Sequence, residues 1–252
     1  AMGQESLAWY YVPRLLQGVF MGLGFPIIFS WTVEVTPPNM RQLALSWIGI
    51  GGITANSLGP SIGEFLLSLH ADPNDPQAYF AVFVMAALCA LAALVFFLLT
   101  ENSHPPPAEE GTGHGLLPLM RRRESVLVLA VAWAFGGMFG VLMSFGKNYT
   151  ASLGLAYVSV LLWAYTVGAV LSRVFMAQIM RRMASHHMIP LGLLGIGTTF
   201  LLLGMAEGYV LLGTSGFLYG LSHGILYPTL FVRFLGFQRP SEVGRASTLY
   251  QG

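Results

Sequence analysis

The sequence predicts an all-helical membrane protein built from two related halves, and three observations carry that reading. The first is composition. Of 252 residues, 55% are hydrophobic and only 9% charged, whereas a soluble domain needs about 25% charged residues to build its surface. The second is segmentation into apolar stretches of the roughly 20 residues that a bilayer core requires. The third is a repeat. Leu16, Gly18, Gly22 and Pro26 return as Leu218, Gly220, Gly224 and Pro228 at one offset of 202 residues, with Phe25 matched by Tyr227. That spacing is far longer than a solenoid repeat of about 20–50 residues and fits duplication of a whole multi-helix half. In both copies the small residues and the proline recur every four positions, which places them on one helix face. Glycines there let another helix come close, and close packing replaces the hydrophobic force that lipid does not supply.

Taken in order, the chain offers seven candidate spans, at 10–35, 43–68, 78–99, 125–146, 155–180, 188–206 and 209–233. His70 to Gln77 is a polar turn rich in helix breakers. The longest interruption, 101–124, holds Pro105, Pro106, Pro107, Glu109, Glu110 and Arg121 to Arg123, and reads as a linker between bundles. The other connections are short, so neighbouring spans are antiparallel. The expected division is residues 1–100 as three spans of a first bundle, 101–124 as linker, and 125–252 as a second bundle of four spans and the start of a fifth. The chain begins Ala1-Met2-Gly3 and stops at Gly252 soon after a new apolar segment opens, so it is expected to be the interior of a longer protein.

Charge sets the orientation. Nine arginines (41, 121, 122, 123, 181, 182, 233, 239 and 245) fall in or beside alternate loops, and the opposite loops hold only Lys147. Basic residues favour the cytoplasmic side, so the 101–124 linker is expected there and the 70–77 loop outside. A single cysteine, Cys89, excludes a disulfide framework and a cysteine-based metal site. No Walker loop, metal-ligand spacing or nucleophile elbow is present. The expectation is therefore no enzyme activity, no cofactor and no metal. Arg121 to Arg123 reads as a topology signal and not as a nucleic-acid patch.

The motifs resemble those of the major facilitator superfamily. Arg14, Gln17 and Gly18 are similar to the RxxQG motif that opens the fourth helix of that family. Ala55 to Glu64, containing Gly59-Pro60 and Gly63, resembles the fifth-helix GPxxGG signature associated with antiporters, with Glu64 where a second glycine is usual. Gly168 to Arg173 and Arg181-Arg182 resemble the eighth helix and the loop after it, with Arg181 at the place of the usual aspartate. The resemblance, to bacterial drug and sugar efflux members, implies two pseudo-symmetric six-helix bundles, here truncated at both ends. It implies a secondary transporter that moves a small organic solute by alternating access, by proton-coupled export. An uptake symporter for a sugar or other metabolite, or a transporter-fold sensor without turnover, remains an alternative. The expected setting is a bacterial inner membrane, with the solute, protons and the lipid bilayer as partners and a monomer as the full-length state.

Ionisable groups inside spans are costly and mark candidate sites. Arg14 either snorkels to the outer interface or, as the resemblance implies, enters the central cavity with Gln17 beside it. Glu64 lies at the same depth on the returning helix, so it is either a partner for Arg14 or a hydrated rim carboxylate. The resemblance gives Glu34 a part in locking the cytoplasmic side, and Arg41, Gly59, Pro60, Glu64 and Arg173 are expected to serve gating or conformational coupling. His223 is the one histidine of six inside a span, near the midplane, and its ordinary pKa of about 6.5 suits a proton carrier. A neutral histidine bonded to backbone or to Tyr219 is the structural alternative. Tyr219 and Tyr227 flank it as candidate cavity lining, and Gly18, Gly22, Gly220 and Gly224 are assigned to helix packing.

Overall fold

The computed structural model describes residues 4–37, 40–70, 76–99, 122–239 and 242–251. All regular structure among them is helical: α1 (Gln4–Val35), α2 (Arg41–Ser68), α3 (Pro76–Leu98), α4 (Arg123–Ser152), α5 (Ser159–Val174), α6 (Met176–Arg182), α7 (Ser185–Gly204), α8 (Tyr209–Gly236) and α9 (Val243–Gln251). Four of these helices are long and apolar enough to cross a membrane, over Tyr11–Val33, Tyr79–Leu98, Arg123–Ser152 and His186–Gly204. The 28-residue α2 and α8 have the length, but glycine, serine and ionisable side chains dilute their hydropathy. Those same small and polar residues make their close contacts. The expected span 155–180 divides at Phe175, whose φ of −90° and ψ of 4° separate α5 from α6. The fourth span starts at Arg123, inside the expected linker, and runs on to Ser152. Most of that linker and of the 70–77 turn lie outside the described residues.

Prolines sit within α1, α2, α7 and α8; neighbouring helices and hydroxyl side chains make this tolerable in a membrane. At the end of α4, Gly154 adopts a φ of +71°. This left-handed turn is open to glycine without steric cost, and it brings the Leu155 N–H back to Thr150 O at 3.1 Å.

The chain divides into two compact units. One comprises 1–45, 104–133 and 230–252; the other comprises 46–103 and 134–229. In the first, α1 packs against α9. Ser30 and Thr248 share a hydrogen bond of 3.0 Å, and Phe231 and Phe234 hold the ring of Tyr250 at 5.0 and 5.7 Å. In the second, α5 is central: one of its faces meets α2 and another meets α8.

Candidate functional site

The contact between α8 and α5 follows from glycine. A Cβ on Gly216 would strike Leu161 O, one on Gly220 would strike Tyr165 O and lie 2.8 Å from Ala169 N, and one on Gly224 would lie 2.8 Å from Ala169 O. Gly168 answers from α5, its missing Cβ being replaced by the Phe217 carbonyl and by Leu221 N at 2.9 Å. Small residues every four positions thus bring two backbones into contact. The matching glycines of α1 differ, since a Cβ on Gly18 or Gly22 would meet no described atom within 4 Å.

This close approach assembles an aromatic cluster around His223. The imidazole centroid lies 5.0 Å from Phe135 and 5.2 Å from Phe139 on α4, and 5.6 Å from the edge-on ring of Tyr165 on α5. Along α8 itself, Tyr219 and Tyr227 stack at 6.1 Å on either side, one helical turn away in each direction. His223 is only 8% exposed and Tyr165 and Tyr219 are fully buried. The Tyr165 hydroxyl and His223 Nδ1 are 3.4 Å apart, an arrangement that either imidazole tautomer can use. The buried Tyr219 hydroxyl has no hydrogen-bond partner among the described residues. Next along α5, the buried Arg173 places its guanidinium 5.9 Å from the ring of Tyr227. It also fills the space beside Gly49 of α2, where a Cβ would come within 2.7 Å of Cζ.

On its other face, α5 is joined to α2 by a polar ladder. Ser57 donates to Leu162 O at 2.7 Å and shares a hydrogen bond with Thr166. Trp163 Nε1 donates to Ser61 at 2.7 Å, and the Val158 N–H donates to Glu64 Oε1 at 3.2 Å. Gly49, Ile53, Ser57, Ser61 and Glu64 share one face of α2 by their helical spacing. They meet α5 in reverse order, so the two helices run antiparallel.

Of the residues singled out from sequence, the fold brings together His223, Tyr219, Tyr227, Arg173, Gly220 and Gly224. Glu64 takes the backbone of α5 as its described partner. The side chains of Arg14, Glu34 and Arg41, and with them the expected pairing and gating, lie outside the described residues. Gln17 is exposed on α1 and Gly59 on α2, and Pro60 is half-buried within α2. The parts played by Tyr165, Thr166 and Ser57 were not read from the sequence. The available signal was the four-residue spacing of Leu162, Thr166 and Ala169–Val170 on a helix otherwise read as apolar. Arg122, expected to mark topology only, also makes specific contacts. In the first compact unit it pairs with Glu242 at 3.0 Å and donates to Gln238 Oε1 at 3.0 Å, while Gln238 donates to Ser125 at 2.8 Å. The Arg239 backbone N–H, 3.0 Å from Glu242, holds that carboxyl below the usual carboxylate range, and the Arg122 guanidinium adds to the effect.

Several helices long and apolar enough to cross a bilayer define an integral membrane protein of the helical class. The chain matches the Major Facilitator Superfamily over residues 1–252, and it belongs to that family of membrane transporters. It is similar to the Staphylopine export protein of Staphylococcus aureus (strain Mu50 / ATCC 700699), 22% identical over 253 residues, covering 96% of this chain and 62% of that protein. It is also similar to the Hippocampus abundant transcript-like protein 1 of Bos taurus, 23% identical over 145 residues, covering 58% of this chain and 25% of that protein. The chain thus spans under two thirds of the length of either relative. No solved structure matches it at comparable significance.

Proposed function

We propose that this chain forms part of a secondary active transporter that exports a small organic solute by alternating access in exchange for protons. The observation that carries the reading is His223, enclosed in mid-helix by Phe135, Phe139, Tyr165, Tyr219 and Tyr227. Rings of this kind present apolar faces to a solute, and the imidazole and tyrosine hydroxyls supply the few polar groups that orient it. An ionisable group buried within membrane helices is otherwise a cost without return. Histidine is the side chain whose ordinary titration spans physiological pH. Similarity to a protein named for export supports the outward direction, and the Gly59-Pro60 signature agrees with it. In this reading, 1–100 and 125–252 belong to two bundles that rock about a midplane site. The 101–124 linker lies on the cytoplasmic side of a bacterial inner membrane, and the full-length protein acts as a monomer.

The test is solute-driven proton movement by the full-length protein in liposomes, compared between wild type and His223→Gln across pH. The expected result is that the variant loses proton movement and its transport becomes flat with pH. A variant with the wild-type pH profile and proton flux would show His223 to be structural and the proton carrier to lie elsewhere.

A further inference from the structure

We infer that Glu64 is a latch, a carboxylate that closes the α2–α5 contact by capping the N-terminus of α5 from across the helix pair. The first N–H groups of a helix have no partner inside it and are usually met by a side chain of the residue that opens the helix. At α5 that position is Val158, whose side chain has no oxygen to offer, and no side-chain cap is formed there. The Val158 N–H instead donates to Glu64 Oε1 at 3.2 Å. A carboxylate suits the place twice over, as a strong acceptor and as a negative charge at the positive end of the helix dipole.

The surroundings make this contact the closing point of a longer seam. Behind Glu64 the ladder continues through Ser61 to Trp163 and Ser57 to Leu162 and Thr166, so separation of α2 from α5 at this end must begin with the Glu64 bond. The segment that carries Val158 is held on its other sides. The Tyr157 N–H donates to the Tyr209 hydroxyl of α8 at 3.2 Å, and the Tyr149 hydroxyl of α4 donates to Leu203 O of α7. The first ties the start of α5 to α8, and the second ties α4 to α7. Of these three bonds only that of Glu64 involves α2. A glycine, usual at this position in the antiporter signature that 55–64 resembles, has no side chain with which to make the bond. The latch is therefore a property of this chain's own sequence. It does not depend on which solute is moved, or on whether His223 carries a proton, so it can fail or hold independently of the proposed function.

The experiment reads access to the seam in the full-length protein. Val158 is 6% exposed, and Val158→Cys keeps its backbone N–H. With the exposed Cys89 replaced by serine, labelling by a membrane-impermeant maleimide reports opening at this end. Glu64→Ala is expected to raise the labelling rate about tenfold, the scale of one charge-assisted hydrogen bond. Glu64→Gln, which keeps a neutral acceptor, should stay within about threefold of the parent. Hydrogen exchange over 155–160, measured without the introduced cysteine, should show amide protection lost in Glu64→Ala and largely kept in Glu64→Gln. Unchanged labelling and unchanged protection in Glu64→Ala overturn the latch. A glutamine variant as open as the alanine variant overturns its hydrogen-bonded basis.

Discussion

Gly220→Ala and Gly18→Ala are the same substitution at matched positions of the repeat, and they should have opposite consequences in this 252-residue chain. At Gly220 the new methyl would fall on Tyr165 O and lie 2.8 Å from both Ala169 N and Tyr165 C. All three are backbone atoms, so no rotamer change relieves the clash and α5 and α8 must move apart. Overpacking of this kind costs about 1–3 kcal/mol, and replacing a helical glycine by alanine returns up to about 1 kcal/mol. The net loss is up to about 2 kcal/mol by these figures. At Gly18 the methyl meets no described atom within 4 Å, so only the helix gain remains. For a chain of this size 1 kcal/mol moves the melting temperature by about 2–4 °C. Thermal unfolding in detergent, followed by far-ultraviolet circular dichroism, should show Gly220→Ala lowered by up to about 8 °C and Gly18→Ala unchanged or raised. Equal shifts in the two variants would refute the claim that the α8 glycines carry a backbone contact in this chain and the α1 glycines do not.

Other outcomes follow from the polar contacts. Ser57→Ala removes both hydrogen bonds to α5 and should destabilise the chain by about 1 kcal/mol, since such bonds between membrane helices average roughly 0.6 kcal/mol each; a double-mutant cycle with Thr166→Val measures how much of that belongs to the pair. Glu242 is held below its ordinary carboxylate value, so its contribution to stability is complete above the unfolded value of about 4.3 and is lost as pH falls through the lower folded value. Glu242→Gln should therefore flatten the acid limb of the stability profile while leaving its slope at neutral pH unchanged, as read by melting temperature against pH.

How much could be read from the sequence depended on the kind of interaction. Helix existence was clear because an apolar run of bilayer length is costly anywhere but in a lipid core, and the Gly220–Gly224 rail was clear because its spacing repeats. The break at Phe175 was not, since no proline or glycine marks it and a backbone angle alone makes it. His223 stood out as the lone histidine within the expected spans, although the span of α7 itself opens at His186. Its partner was less visible, because Tyr165 lies 58 residues away on another helix and only the α5–α8 approach brings the rings together. Glu64 was visible as a charge at a costly depth, yet a carboxylate meeting a backbone N–H leaves no signature in the donor's side chain. Arg122 was read as topology because a run of arginines has that meaning by itself; the pairing with Glu242 arises only where the fold brings that carboxylate to it.

Proton-coupled export by the full-length protein is tested most directly by reconstituting it in liposomes and measuring solute movement with and without an imposed pH gradient. The solute is first chosen by its ability to stabilise the purified protein against heat. The expected result is that the gradient drives the solute against its own concentration difference, toward the compartment on the side opposite the arginine-rich loops, and that protons move the other way. Stabilisation by solute with no movement in either direction would contradict transport, and movement toward the arginine-rich side together with protons would contradict export.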